Sequence, residues 1–175
     1  MIKMKIKRII ALFVALIVAT TVFAACAKEK NDIKYREAGL EFVLPRSMRR
    51  AETSAYDFYF STLDAIFAVI KLDDDYLASV SVPNDITAEG YINEYIKRNY
   101  LDKKQIDFKH DPERNAYSLR YNYSEEGNLD VFHYVIVLGE PGALWYVEMC
   151  CDNEDSGTYT TTFELWGKSV KTYKD

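Results

Sequence analysis

Histidine is the side chain best suited to general acid–base chemistry at neutral pH, and this 175-residue chain has only two, His110 and His133. His133 shares a predicted strand face with three valines, so we expect a half-buried, hydrogen-bonded structural residue rather than a catalytic one. The run His110-Asp111-Pro112 predicts a turn. With so few histidines, a nucleophile–histidine–carboxylate triad is difficult to assemble.

Two of the three cysteines are adjacent, at Cys150 and Cys151. A disulfide framework needs spaced partners, so we do not expect this domain to be cross-linked. Neighbouring thiols can close a strained ring with redox or binding properties, or they can be ordinary residues at the end of an apolar strand. The second interpretation is favoured, because successive strand residues point to opposite faces. Zinc would need more ligands, and the sequence has no Cys-x-x-Cys and no close histidine pair.

Three acidic residues after this strand offer the oxygen ligands that calcium prefers: Asp152, Glu154 and Asp155. Their spacing matches the first half of a calcium-binding loop, but the twelfth position is Phe163 instead of a bidentate glutamate. A weak calcium site is therefore an alternative to a solvated acidic turn. The run Asp73-Asp74-Asp75 has the same two interpretations, and a solvated turn is favoured.

Nucleotide-binding motifs are absent from the sequence. The run Gly167-Lys168-Ser169 lacks the glycine that a phosphate loop places five residues earlier, where Thr162 stands. No Gly-x-Gly pair occurs, so there is no dinucleotide fingerprint. We predict no cofactor and no resident metal.

Carboxylates and tyrosines leave two functions open. The separation of two catalytic carboxylates is a property of the fold, so a hydrolase that uses such a pair remains an alternative. The 14 tyrosines serve either as core and sheet packing, which is favoured, or as an aromatic recognition surface for a peptide, a glycan or a partner protein.

Charge excludes one large class of function. The first 25 residues hold four basic residues and no acidic ones; the rest of the chain has 18 basic and 27 acidic residues, a net charge of −9. A nucleic-acid-binding surface must neutralise phosphates with positive charge, so we expect no nucleic-acid partner.

The start of the chain has the form of a secretory signal, with a basic segment at residues 1–8 and an uncharged apolar run from Ile9 to Phe23. The next residues, Ala24, Ala25 and Cys26, resemble the lipobox of bacterial lipoproteins. That resemblance implies cleavage between Ala25 and Cys26 and a diacylglyceryl thioether on the Cys26 sulfur, with fatty acids such as palmitate as the membrane anchor. An uncleaved membrane anchor and ordinary signal cleavage are the alternatives, and all three place the rest of the chain outside the cytoplasm.

Residues 26–33 then form a charged tether, and residues 34–175 a single domain. Alternating patterns predict a hairpin over 34–45 and strands over 65–72, 116–123, 129–138 and 143–151. The last two strands are apolar on both faces, so they should lie centrally. Helical spacing predicts one helix capped by Thr87 and a second from Tyr159 to Val170, capped by Asp155 or Ser156. We therefore predict an α+β fold.

This order of elements, with Gly-Leu-Glu-Phe-Val-Leu-Pro at 39–45 and Phe-x-x-Trp-x-Lys-Ser-Val at 163–170, resembles the PsbP-like superfamily. The resemblance implies an α/β/α sandwich, in which two main helices cover a largely antiparallel sheet. It also implies an accessory or binding role without a shared catalytic set of residues. The predicted function is a non-catalytic, lipid-anchored lipoprotein of the cell envelope, with the membrane and an envelope protein, peptide or glycan as partners. An envelope hydrolase and a carrier of a small ligand or metal are the alternatives.

Overall fold

A computed structural model of the chain describes residues 32–101, 106–124 and 130–173. The predicted signal peptide, the cleavage site before Cys26 and nearly all of the predicted tether lie outside the described residues. The strands are β1 (Asp32–Glu37), β2 (Leu40–Pro45), β3 (Arg49–Arg50), β4 (Phe58–Ser61), β5 (Ala65–Leu72), β6 (Asp107–Asp111), β7 (Ala116–Tyr123), β8 (Val131–Glu140), β9 (Ala143–Asp152) and β10 (Lys171–Thr172). The α-helices are α1 (Asp74–Ser79), α2 (Ala88–Arg98) and α3 (Ser156–Ser169), and a 3-10 turn, Asn153–Asp155, precedes α3.

Seven strands form the central antiparallel sheet, in the order β3-β4-β5-β9-β8-β7-β6. The two strands that are apolar on both faces, β8 and β9, lie next to each other in the interior of this sheet, as predicted. Their register runs from Val131 opposite Asp152 to Glu140 opposite Ala143. Burial on both faces of a strand requires a layer on each side, so the sheet is the middle layer of a sandwich.

A second, smaller sheet contains β1, β2 and β10. The predicted hairpin is confirmed, and its two turn residues, Ala38 and Gly39, both have positive φ, at 53° and 89°. Turns of this kind match the twist of the strands they join. Strand β1 begins at Asp32, so the last two residues of the predicted tether, Asp32 and Ile33, belong to this strand.

The first face of the central sheet carries a core rich in phenylalanine. Phe42 of the small sheet lies among rings from β4 and β5, with its centroid 5.0 Å from that of Phe67. Helix α3 covers the neighbouring strands, where the rings of Phe163 and Phe132 stack at 6.0 Å. Phe42, Phe67 and Phe163 are at most 1% exposed. Together the small sheet and α3 seal this face over β4, β5, β9 and β8.

Helices α1 and α2 lie on the second face. Thr87 caps α2 as predicted, and its side chain accepts a hydrogen bond from the backbone N–H of Gly90 at 3.0 Å. The buried side of α2, which includes Tyr91, Ile92 and Ile96, packs over β7 and β8 with Leu119, Val135 and Val137. The PsbP-like sandwich implied by the sequence is thus observed.

Two local predictions were wrong. The three aspartates at 73–75 are solvent-exposed as predicted, but they start a helix instead of a turn: the Asp73 carboxylate accepts the N–H of Tyr76 at 2.9 Å and caps helix α1, and the other two lie in its first turn. His110 and Asp111 do not form a turn either, because they end the edge strand β6, and the turn begins at Pro112. Pairing with β7 supplies the backbone hydrogen bonds that the polar sequence of β6 does not reveal.

The C-terminal helix is confirmed, but the predicted cap is not: Asp155 occupies the N-cap position and its side chain makes no capping hydrogen bond. At Gly167 the helix backbone approaches the sheet so closely that an added Cβ atom would lie 2.7 Å from Cδ1 of Ile136. No helix within 32–101, 106–124 and 130–173 is both long enough and apolar enough to cross a membrane.

Candidate functional site

The half of the second face that α1 and α2 leave partly open contains a carboxylate paired with a histidine. Glu148 lies in the middle of β9 and His133 on β8, and the imidazole Nδ1–H donates to Oε1 of Glu148 at 2.8 Å. Their side chains are 16% and 17% exposed, respectively. The expectation that His133 is half-buried and hydrogen-bonded is therefore confirmed, and the sequence analysis did not identify its partner.

Tyrosines surround this pair on the side of β7 and α2. The ring of Tyr121 stacks on His133 with centroids 4.7 Å apart and planes 4° apart. Its hydroxyl lies 2.6 Å from that of Tyr95, which reaches the sheet from α2. The Tyr95 ring is in turn 5.6 Å from the ring of Tyr146 on β9. Three rings from three elements therefore enclose one side of the carboxylate.

Two further tyrosines lie on the opposite side of the carboxylate, toward β4. Residues at one register position of an antiparallel sheet share a face, and Tyr59, Ala68 and Glu148 occupy one such row. Ala68 is buried, and the ring of Tyr56 lies 5.8 Å from that of Tyr59. We call Tyr56, Tyr59, Tyr95, Tyr121 and Tyr146, with His133 and Glu148, the tyrosine face.

Burial raises the pKa of several of these tyrosines. It raises the pKa of Tyr95 to about 12, and the negative charge of Glu148 acts in the same direction. Burial also raises the pKa of Tyr121 and of Tyr146, for which Glu148 is again a contributor. At neutral pH the tyrosine face thus presents uncharged hydroxyls around a single carboxylate.

A cysteine completes a constellation that could support nucleophilic catalysis. Cys150 is opposite His133 in the β8–β9 register, and Glu148 orients that imidazole. Burial, however, raises the pKa of the Cys150 thiol to about 12, with Glu148 adding to the effect. The nucleophile is the thiolate, so a thiol that remains protonated at neutral pH lacks the required reactivity. The Cys150 thiol is therefore a poor nucleophile at neutral pH.

The two adjacent thiols are free and point to opposite faces. Cys151 is buried in the phenylalanine-rich core, and Cys150 lies on the tyrosine face. The strand interpretation of the pair is confirmed, because an extended backbone directs successive side chains apart.

A second cluster brings two carboxylates together at the β6–β7 edge. Arg120 contacts both Asp107 and Glu164, and Lys109 lies 3.2 Å from Glu164. The hydrogen bond from Arg120 lowers the pKa of Asp107, and that from Lys109 lowers the pKa of Glu164. A general acid in glycoside hydrolysis needs a raised pKa, so this pair does not support the hydrolase alternative.

The calcium alternative is also unsupported. Asp152 ends β9, Glu154 and Asp155 lie in the following turn, and α3 begins at once with Ser156. Phe163 belongs to that helix and is buried in the core, so the segment does not wrap around one centre. Among the residues that the structure describes, no group of three or more His, Cys, Asp or Glu side chains is placed to hold a metal ion.

Comparison with known proteins shows similarity of fold but no matching protein family or curated protein. No protein-family profile matches the sequence, and no curated protein matches it either. The fold is similar to that of cyanobacterial PsbP (CyanoP) from Synechocystis sp. PCC 6803, with a TM-score of 0.55 and 16% identity over 82% of this chain and 93% of that one. A crystal structure from Bacteroides thetaiotaomicron gives a TM-score of 0.50 and 11% identity over 83% of this chain and 50% of that one. The chain thus has a PsbP-like fold.

The sequence did contain one signal for the missed carboxylate. Glu148 is the single charged residue within the otherwise apolar stretch 143–151. A charge inside a central strand needs a partner or a function. Tyr146 lies two residues earlier on the same strand, whereas the other tyrosines come from α2, β7, β4 and the segment before β4, and only the fold brings those to Glu148.

Proposed function

We propose that this protein is a lipid-anchored binding protein of the cell envelope with no catalytic role, and that its tyrosine face contacts the partner. One observation carries the proposal: Glu148 and His133 remain about one-sixth exposed among tyrosines, on the half of the sheet that the helices do not seal. Tyrosine combines a large apolar contact area with a polar tip, which is the chemistry favoured at interfaces.

The sequence supports the anchor. A basic segment, an apolar run and Ala24-Ala25-Cys26 occur in the order that a lipoprotein signal requires. Five residues separate Cys26 from Asp32, where β1 begins, so the chain between those two residues reaches at most about 22 Å. A lipid on Cys26 would therefore hold the domain close to the membrane surface. Two or more acyl chains are needed for stable attachment, and a diacylglyceryl group supplies them.

Metabolic labelling tests the anchor. Cells given labelled palmitate should label the wild-type protein and the Cys150→Ala variant, while the Cys26→Ala variant loses the label. The Cys150→Ala variant is the matched control, because it removes a thiol that the anchor does not use. Equal labelling of Cys26→Ala and wild type would overturn the lipid anchor.

Site-specific photocrosslinking in intact cells tests the tyrosine face. A photoreactive phenylalanine analogue replaces Tyr59, which is half-buried on this face, or Leu165, which is 62% exposed on α3. A defined crosslinked product should form from position 59 and not from position 165. Products of equal yield at both positions, or none from position 59, would contradict the assignment of this face.

A further inference from the structure

We propose that the tyrosine face recognises a cation, namely the ammonium or guanidinium group of a basic side chain on the partner, and that Glu148 supplies the charge that selects it. This inference rests on the proposed binding role of the same face. It adds the chemical class of what is bound there.

The first argument is that Glu148 has no basic partner. Several part-buried carboxylates of the described chain are paired with Lys or Arg: Glu41 with Lys34, Glu94 with Arg98, and Glu164 with Lys109 and Arg120. Among the described residues Glu148 has only the imidazole of His133. An Nδ1–H donates this hydrogen bond in the neutral form of histidine as well as in the charged form, so the contact does not by itself neutralise the carboxylate.

The second argument is the orientation of the carboxylate. The bond from His133 uses Oε1 and fixes the side chain, and no described residue donates to Oε2. A part-exposed carboxylate oxygen in a fixed position is a suitable acceptor for an ammonium or guanidinium group. An anionic ligand would meet the same negative charge and be repelled.

The tyrosine rings near Glu148 also favour a cation. Cations are attracted to the faces of tyrosine rings within about 6 Å of the ring centre. The rings of Tyr95, Tyr121 and Tyr146 form one cluster on the same face of the sheet as Glu148, and the ring of Tyr56 lies beside Tyr59, which shares the register row of Glu148. Their hydroxyls stay uncharged, and each hydroxyl oxygen can accept a hydrogen bond from a cation. A carboxylate surrounded by aromatic rings therefore favours a cation over a neutral sugar.

A matched pair of probes tests this inference on the full chain in detergent micelles, with ¹³C-labelled tyrosine followed by NMR. The probes are N-acetyl-lysine methylamide and N-acetyl-norleucine methylamide, which share an aliphatic stem and differ in the ammonium group. We expect the lysine probe to shift the ring signals of Tyr95 and Tyr121 with a Kd of about 1 mM or weaker, since it makes few contacts. The norleucine probe should leave those signals in place.

Two variants test whether the charge of Glu148 is the one that binds the lysine probe. Glu148→Gln should weaken lysine-probe binding by about tenfold or more, because it removes the charge and keeps the shape. Glu154→Gln removes an equal charge from an exposed turn and should leave binding unchanged. The wild-type comparison between probes is decisive even if Glu148→Gln fails to fold.

Two results would overturn the inference. One is equal shifts from both probes, and the other is no shift from the lysine probe where N-acetylglucosamine, as a neutral sugar probe, does shift the rings. If either result is found while position 59 still forms a crosslink, the proposed binding face stands and only its specificity for a cation is overturned. If position 59 forms no crosslink and no probe shifts the ring signals, both the binding face and its specificity for a cation are overturned.

Discussion

The two faces of the central sheet are built from alternate residues of the same strands, yet they differ in chemistry. On β5, Phe67 faces the first layer and is fully buried, while its neighbour Ile66 faces the second and is only partly buried. On β9, Met149 and Cys151 are buried on the first face, whereas Glu148 and Cys150 are half-buried on the second. The two faces differ in burial because different layers pack on them.

Cover determines which aromatic residue each face uses. The small sheet and α3 seal the first face over β4, β5, β9 and β8, and most of the buried aromatic rings there are phenylalanines, with Tyr134 and Trp145 beside them. Helices α1 and α2 cover only part of the second face, and there tyrosine buries its ring while its hydroxyl meets another hydroxyl or solvent. A sheet covered completely on one side and partly on the other can be stable through the first face and retain a polar surface on the second.

The largest expected effect is on the first face. Phe67→Ala should reduce the free energy of unfolding by about 3–5 kcal/mol, because it leaves a cavity among Phe42, Phe60 and the strand core. Urea unfolding followed by circular dichroism measures this loss. The control is Phe108→Ala at the exposed edge strand, where the ring is 41% exposed and the loss should stay below about 1 kcal/mol. Similar losses for both variants would contradict the sealed core.

Alkaline pH should distinguish the second face. Folding raises the pKa of Tyr95 to about 12, above its ordinary value of 10.0. The hydroxyl is therefore harder to ionise in the folded chain than in the unfolded chain, and its ionisation destabilises the fold. The stability contributed by this residue is complete below pH 10 and is lost as the pH rises from 10 to 12, by about 2–3 kcal/mol. Tyr121 and Tyr146 act in the same direction.

Urea unfolding below pH 10 and near pH 12 measures that loss. Tyr95→Phe should reduce the pH dependence, because phenylalanine has no proton to release. Tyr123→Phe alters a ring that is 44% exposed and serves as the control, with the pH dependence unchanged. An identical pH dependence for wild type and Tyr95→Phe would show that this hydroxyl is not buried as described.

The smallest expected effect is that of a single hydroxyl. Tyr121→Phe removes the 2.6 Å contact with Tyr95 and keeps the ring stacked on His133, so the free energy of unfolding should fall by about 0.5–1.5 kcal/mol. The double variant with Tyr95→Phe should cost less than the sum of the two single variants, since both remove the same bond. Fully additive losses would mean that the two hydroxyls do not interact.

Much of this fold follows from local patterns. The predicted boundaries of β5 and β7 coincide with those observed, and β8, β9, α2 and α3 differ only at their ends. These elements have strong periodicity, because one or both of their faces are buried over their whole length. The errors fell where burial is slight: α1 is short and has Asp73 as its cap and two aspartates in its first turn, and β6 is polar and lies at an edge, so neither has a hydrophobic pattern to reveal it.

The candidate site was only half visible in the sequence. His133 was placed on the correct strand face with the correct environment, because strand alternation is a local property. Its bond to Glu148 depends on the β8–β9 register, and the rings of Tyr95 and Tyr56 depend on how α2 and the segment before β4 pack on the sheet. Such contacts join residues far apart in the chain, and alternation along one strand does not encode them.

The sequence alone determined the acidic character of the domain, the apolar central strands, and the pattern of the first 26 residues that predicts a lipid anchor. Each of these is a property of composition or of neighbouring residues. The tertiary structure alone decided which face is sealed and which stays open, and it placed one carboxylate without a basic partner among tyrosines. That outcome depends on where covering layers end, which is set by the packing of distant segments rather than by the residues they cover.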